Sequence, residues 1–125
     1  MRPADSETEI DFDHLNQYVA GDPELTAEVF GLFKNQVDML GRSLILDAED
    51  DSWKAVTHSL KGTALAVGAT KLAELCEKAE GLVGEGNRPG GRDVAIQNIE
   101  FRIARTMAEI QRWEYRQTLR KMRGE

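Results

Sequence analysis

His58-Ser59-Leu60-Lys61-Gly62-Thr63-Ala64-Leu65-Ala66-Val67-Gly68-Ala69 is the stretch that decides how this chain folds. On a helix turning about 100° per residue, Trp53, Val56, Leu60, Ala64 and Val67 share one face at spacings of three and four, as a buried stripe requires. His58 lies two residues from both Val56 and Leu60, so it points to the opposite side. Lys61 and Gly62 follow it by three and four residues, which makes both its neighbours on the helix surface. Gly62 is a costly choice there, about 1 kcal/mol worse than alanine in a helix interior. Close approach by a phosphate or a partner would offset that loss. Leu65 and Ala55 add apolar surface beside the imidazole, and Asp51, Lys54 and Ala69 complete the face within about 60° of His58. An imidazole of ordinary pKa, ~6.5, is mostly neutral at pH 7 and keeps a lone pair for attack. Lys61 can place positive charge beside a phosphate.

Working outward, the same periodicity recurs. Asp11 to Val19 reads as a short helix with Phe12, Leu15, Tyr18 and Val19 facing inward. Gly21 and Asp22 break it, Asp22 caps the next helix and Pro23 takes its first position, where proline is tolerated. That helix is expected from Glu24 to about Leu46, burying Leu25, Val29, Phe33, Val37, Leu40 and Leu44. Asp47 to Asp51 is an acidic turn, and Ser52 or Asp51 is expected to cap the histidine helix. Gly68 stops that helix. Thr70 is expected to cap the next, which runs to about Val83 with Leu72, Leu75, Ala79 and Leu82 inward. Gly84 to Gly91 contains Asn87-Arg88-Pro89-Gly90 and is a loop. The last helix carries Val94, Ile96, Ile99, Ile103, Met107, Ile110 and Trp113. No strand-like alternation is evident. The expected fold is all-α: an antiparallel four-helix bundle with a short extra N-terminal helix. Residues 1–10 are expected to be a flexible N-terminus, 11–118 the bundle and 119–125 a basic C-terminal tail.

The central stretch resembles the histidine-containing phosphotransfer (HPt) domains, and the resemblance runs from about Phe12 to about Ile110. Leu15-Asn16-Gln17-Tyr18-Val19-Ala20-Gly21-Asp22-Pro23-Glu24-Leu25 resembles the lead into that family's first long helix. Phe30, Phe33 and Leu40 follow at helical spacing, and Leu72, Leu75, Cys76 and Glu80 look like the family's next helix. Gly31, Gly41 and a long basic last helix depart from the pattern. The resemblance implies that His58 is the phosphoacceptor, exchanging a phosphoryl group with receiver-domain aspartates of response regulators or a hybrid histidine kinase. It implies Lys61 as the nearby cation and Gly62 as the source of clearance. Asp51, Lys54, Ala55, Leu65 and Ala69 are then the expected partner-binding residues. No cofactor of its own is expected; Mg²⁺ would sit on the receiver. A phosphoryl carrier without kinase activity of its own needs no more. Two rivals stand beside it: a receiver-binding helical module without phosphotransfer, and the phosphoacceptor and dimerisation part of a histidine kinase. The second usually follows its histidine with an acid, whereas Ser59 follows His58 here.

Composition sets the outer bounds. The chain has 125 residues, 41% hydrophobic and 30% charged, which is one domain of ordinary globular make-up. A net charge of −6 argues against general nucleic-acid binding. No apolar run reaches transmembrane length and the N-terminal residues are polar, so no membrane association and a cytoplasmic location are expected. A monomer is expected with the phosphotransfer reading. The charge is uneven: Arg102, Arg105, Arg112, Arg116, Arg120, Lys121 and Arg123 load the last helix with cations, which suit a helix C-terminus. Cys76 is the single cysteine and reads as a small buried hydrophobe. His14 lacks a following cation and glycine and reads as surface. Trp53 and Trp113 read as core aromatics, and Ser59 has no base placed to activate it.

Overall fold

The computed structural model describes residues 8–125, and all its regular elements are helical. They are α1 (Phe12–Val19), α2 (Pro23–Gly41), α3 (Asp50–Ala66), α4 (Thr70–Glu80) and α5 (Gly91–Met122), with a 3₁₀ turn at Gly84–Gly86. Helices α2 to α5 form the antiparallel four-helix bundle, α2 against α3, α3 against α4, α4 against α5 and α5 back against α2. α1 closes one end. Its Phe12 ring meets Phe30 of α2 edge-on at 6.3 Å, and Phe30 in turn meets Trp113 of α5 at 5.1 Å. The core is built from Leu15, Phe30, Phe33, Trp53, Leu60, Leu72, Cys76, Ile99 and Ile110 with smaller residues between them.

Local chemistry sets most boundaries. Asp11 caps α1 by accepting from the His14 amide, and Asp22 caps α2 by accepting from Glu24 and Leu25, with Pro23 in the first turn. α3 ends in a Schellman arrangement: the Ala69 amide reaches the Ala64 carbonyl at 2.9 Å and the Gly68 amide reaches Leu65 at 3.1 Å. Gly68 takes φ +78°, and a Cβ there would stand 2.7 Å from the Asp11 carbonyl oxygen. The Gly68 carbonyl accepts from the Asp11 amide at 2.8 Å, so glycine lets the end of α3 and the start of α1 touch.

Several expectations need correction. α2 stops at Gly41 rather than near Leu46, and Leu44 is buried from the turn that follows. α3 begins at Asp50 behind Glu49, not behind Asp51 or Ser52, because the Trp53 amide already bonds back to the Glu49 carbonyl at 2.8 Å; the Asp50 carboxylate is engaged by the Gly84 amide and Arg92. Thr70 is the first residue of α4 rather than its cap, and α4 ends at Glu80. Tyr18, Leu25 and Val94 were expected inward but are exposed. α5 continues without a break past residue 118 to Met122.

The largest correction concerns the N-terminal segment. Residues 1–7 lie outside the described residues, but Glu9 and Ile10 are only 3% and 1% exposed. The Glu109 carboxylate accepts from both their amides, at 2.7 and 3.2 Å. The Glu9 carboxylate meets Arg102 at 3.1 Å and Arg105 at 3.2 Å. Two cations of the basic last helix therefore clamp the N-terminal segment. Arg92 is a second buried hub. Its guanidinium donates to the Leu82 and Ala48 carbonyls and to Asp50, and lies 4.6 Å over the Trp53 ring.

Candidate functional site

The site is set by how firmly α3 is held about its own axis. Trp53 is fully buried and its indole Nε1 donates to the Ala79 carbonyl of α4 at 2.7 Å. Thr57, also fully buried, returns its hydroxyl to the Trp53 carbonyl at 2.9 Å. With Val56, Leu60 and Ala64 also inward, His58 is turned out, its side chain 73% exposed.

Two carboxylates of α4 face this outer side of α3. His58 Nδ1 lies 3.1 Å from Glu80 Oε1, and Lys61 Nζ lies 3.3 Å from Glu77 Oε1. A carboxylate can only accept, so the imidazole donates from Nδ1 and its Nε2 is the nitrogen left with a lone pair. Gly62 borders open space, since a Cβ placed on it would meet nothing within 4 Å. Nothing among the described residues requires glycine there. Its effect is to keep the surface one turn beyond His58 low.

Asp51, Lys54, Ala55 and Leu65 lie exposed along the His58 side of α3. Ala69 does not join them: it is fully buried. Helical spacing ends at Ala66, and the left-handed turn at Gly68 swings Ala69 into the core. The apolar surface continues elsewhere. Leu65 and Ala66 share a hollow with His14 and Tyr18 of α1, whose rings meet edge-on at 5.5 Å. On the other flank Gly62, Ser59 and Ala66 share a groove with Val29 and Leu32 of α2.

Sequence reasoning gave no functional role to Glu77 or Glu80, and it placed Tyr18 inward rather than at the site. Glu77 and Glu80 are three apart, off the Leu72-Cys76-Ala79 stripe, so helical spacing could have placed them together on an outer face. It could not have shown that this face meets His58. Cys76, one turn before Glu80, is buried, and burial together with the Glu80 charge pushes its thiol from an ordinary 9.0 up to about 12. It is a core residue, not a reactive one. Among the described residues, no group of three or more His, Cys, Asp or Glu side chains is placed to hold a metal ion.

An imidazole on a rigid helix, open to a partner and flanked by a cation, can receive a phosphoryl group and hand it on; proteins of this class are phosphoryl carriers. Residues 28–113 match the model of the Hpt domain, and the chain belongs to that family. Among solved structures it is similar to the histidine phosphotransferase ShpA from Caulobacter crescentus, with 27% sequence identity and a TM-score of 0.73, covering 92% of this chain and 99% of that one. No curated protein matches this chain. Family and fold together give it a histidine phosphotransfer role in a phosphorelay.

Proposed function

We propose that His58 is the phosphoacceptor and that it exchanges its phosphoryl group with aspartates of receiver domains. The observation that carries this is the outward imidazole whose Nδ1 is held by Glu80, at 3.1 Å, with Nε2 left free. In the forward step the Nε2 lone pair attacks the phosphorus of an aspartyl phosphate. The Nε2–P bond forms, the P–O bond to the aspartate breaks and the aspartate carboxylate leaves. Glu80 fixes the ring orientation and accepts a hydrogen bond from Nδ1–H, which favours the cationic character that develops on the ring during attack. Lys61 supplies positive charge beside the arriving group. The expected size is that of an exposed pair, ~0.2–1 kcal/mol, which favours the phosphorylated form without locking it.

The chain's own residues supply the nucleophile and its setting. The receiver supplies the leaving group and the Mg²⁺ that neutralises charge in transfer. On this reading the protein is a monomeric carrier without kinase activity of its own. The docking surface is the His58 side of α3, with Asp51, Lys54, Ala55 and Leu65, extended by Tyr18 of α1. No helix among the described residues is long and apolar enough to cross a membrane, which fits a cytoplasmic carrier.

The test is incubation with a phosphorylated receiver domain, comparing wild type with His58→Gln. Acid-labile, base-stable label on wild type alone is expected. Label of equal strength on His58→Gln would overturn the assignment. Binding to several receivers with no label on either protein would mark a receiver-binding module instead.

A further inference from the structure

Lys61 already has a partner. Its Nζ lies 3.3 Å from Glu77 Oε1, the longest of the described ion pairs; Lys34–Glu114 and Arg92–Asp50 close to 2.6 and 2.7 Å. Charge-assisted contacts of this kind favour about 2.7–2.9 Å. The two ends also differ in freedom: the Lys61 side chain is 27% exposed and that of Glu77 is 65% exposed. The lysine stem is packed and the carboxylate is the end able to swing away. The charged groups around the imidazole are Lys54 and Lys61 on α3, one turn to either side, and Glu77 and Glu80 on α4.

Resting on the phosphotransfer reading above, we propose that Glu77 is the counter-ion that competes with the phosphoryl group for Lys61. Before transfer, Glu77 holds the ammonium beside His58. When a phosphoryl group arrives on Nε2, Lys61 can turn to it only by giving up its contact with Glu77. That competition weakens the hold on the phosphohistidine. Glu77 thus acts through Lys61, as a residue that sets how readily the cargo leaves.

The experiment uses the full chain phosphorylated with phosphoramidate. In that reaction the Nε2–P bond forms, the P–N bond of the donor breaks and ammonia leaves. The ³¹P resonance of the phosphohistidine is then followed against pH. A phosphoryl group that shares Lys61 with no carboxylate ionises more easily, so Glu77→Gln should lower the midpoint of its last ionisation. The shift expected from an exposed pair is about 0.15–0.7 pH units, a change of about 1.4- to 5-fold, shrinking in high salt. Glu77→Asp should return the midpoint towards wild type. In a Lys61→Met background the same Glu77→Gln change should lose most of its effect. An unchanged or raised midpoint in Glu77→Gln, with wild type labelled, overturns the counter-ion role and leaves the phosphotransfer reading standing. An equal drop in both backgrounds also overturns it, because the carboxylate would then act without Lys61. Absence of label on wild-type His58 overturns the phosphotransfer reading and the counter-ion role with it.

Discussion

Glu109→Ala should release the N-terminal segment and destabilise the whole bundle. The Glu109 carboxylate is 6% exposed and is the acceptor for the Glu9 and Ile10 amides, at 2.7 and 3.2 Å. If the segment stays in place, two buried amides lose their acceptor, at ~1–3 kcal/mol each. If it peels away, water satisfies the amides but the Ile10 side chain is exposed, at ~1.5–3 kcal/mol. The Glu9 contacts with Arg102 and Arg105 go with it. The cheaper route sets the cost, so the loss should be ~2–3 kcal/mol. For a chain of this length that is about 6–15 °C in Tm. Glu109→Gln keeps one acceptor oxygen and should lose about half as much. Urea unfolding gives the free energy, and amide exchange at Ile10 says which route is taken. Loss below ~0.5 kcal/mol for Glu109→Ala, with Ile10 still protected, would refute the view that this carboxylate anchors the segment.

Three further outcomes follow from the geometry. Gly62→Ala should raise stability by ~0.5–1 kcal/mol, because the site is helical and the added Cβ meets nothing, whereas Gly62→Phe should fold normally and slow phosphotransfer by obstructing the partner; thermal unfolding and transfer rates check the pair. Gly68→Ala should cost ~1–2 kcal/mol or more, since φ +78° is unfavourable for alanine and its Cβ would press on the Asp11 carbonyl; a neutral result in urea unfolding would contradict the close contact of α1 with α3. Cys76 should resist iodoacetamide at pH 8 in the folded protein and react once it is unfolded. Its thiol is raised from 9.0 to about 12, so the stability it contributes is fully present below pH 9 and is lost as pH climbs towards 12. A Cys76→Ala variant should show less alkaline destabilisation over that window.

How much was legible in the sequence depended on the range of the interaction. The Trp53-Val56-Leu60-Ala64 stripe obeys a local period, so it placed His58 outside without any tertiary knowledge. Asp22 and Pro23 marked a helix start for equally local reasons. Periodicity failed where the chain leaves the helix: a wheel extended through Gly68 puts Ala69 beside His58, but the left-handed turn buries it. It also failed for pairings between distant segments. Glu9 and Glu109 are 100 residues apart, and nothing in a polar N-terminus announces that its backbone will dock on a buried carboxylate. Nothing in the local pattern singles out Arg92, although it ties Ala48, Asp50 and Leu82 together against the Trp53 ring. The same limit hid Glu77 and Glu80, whose role depends on which face of α4 meets α3. Arg102 and Arg105 read as cations that suit the end of the last helix, yet they serve Glu9.

The most direct test of the account is to locate the phosphoryl group on the ¹⁵N-histidine-labelled protein after incubation with a phosphorylated receiver domain, by ³¹P and ¹⁵N NMR. One phosphoryl group is expected, on Nε2 of His58, with Nδ1–H still donating to Glu80. Phosphate on Nδ1, on His14, or on a residue other than histidine would contradict it.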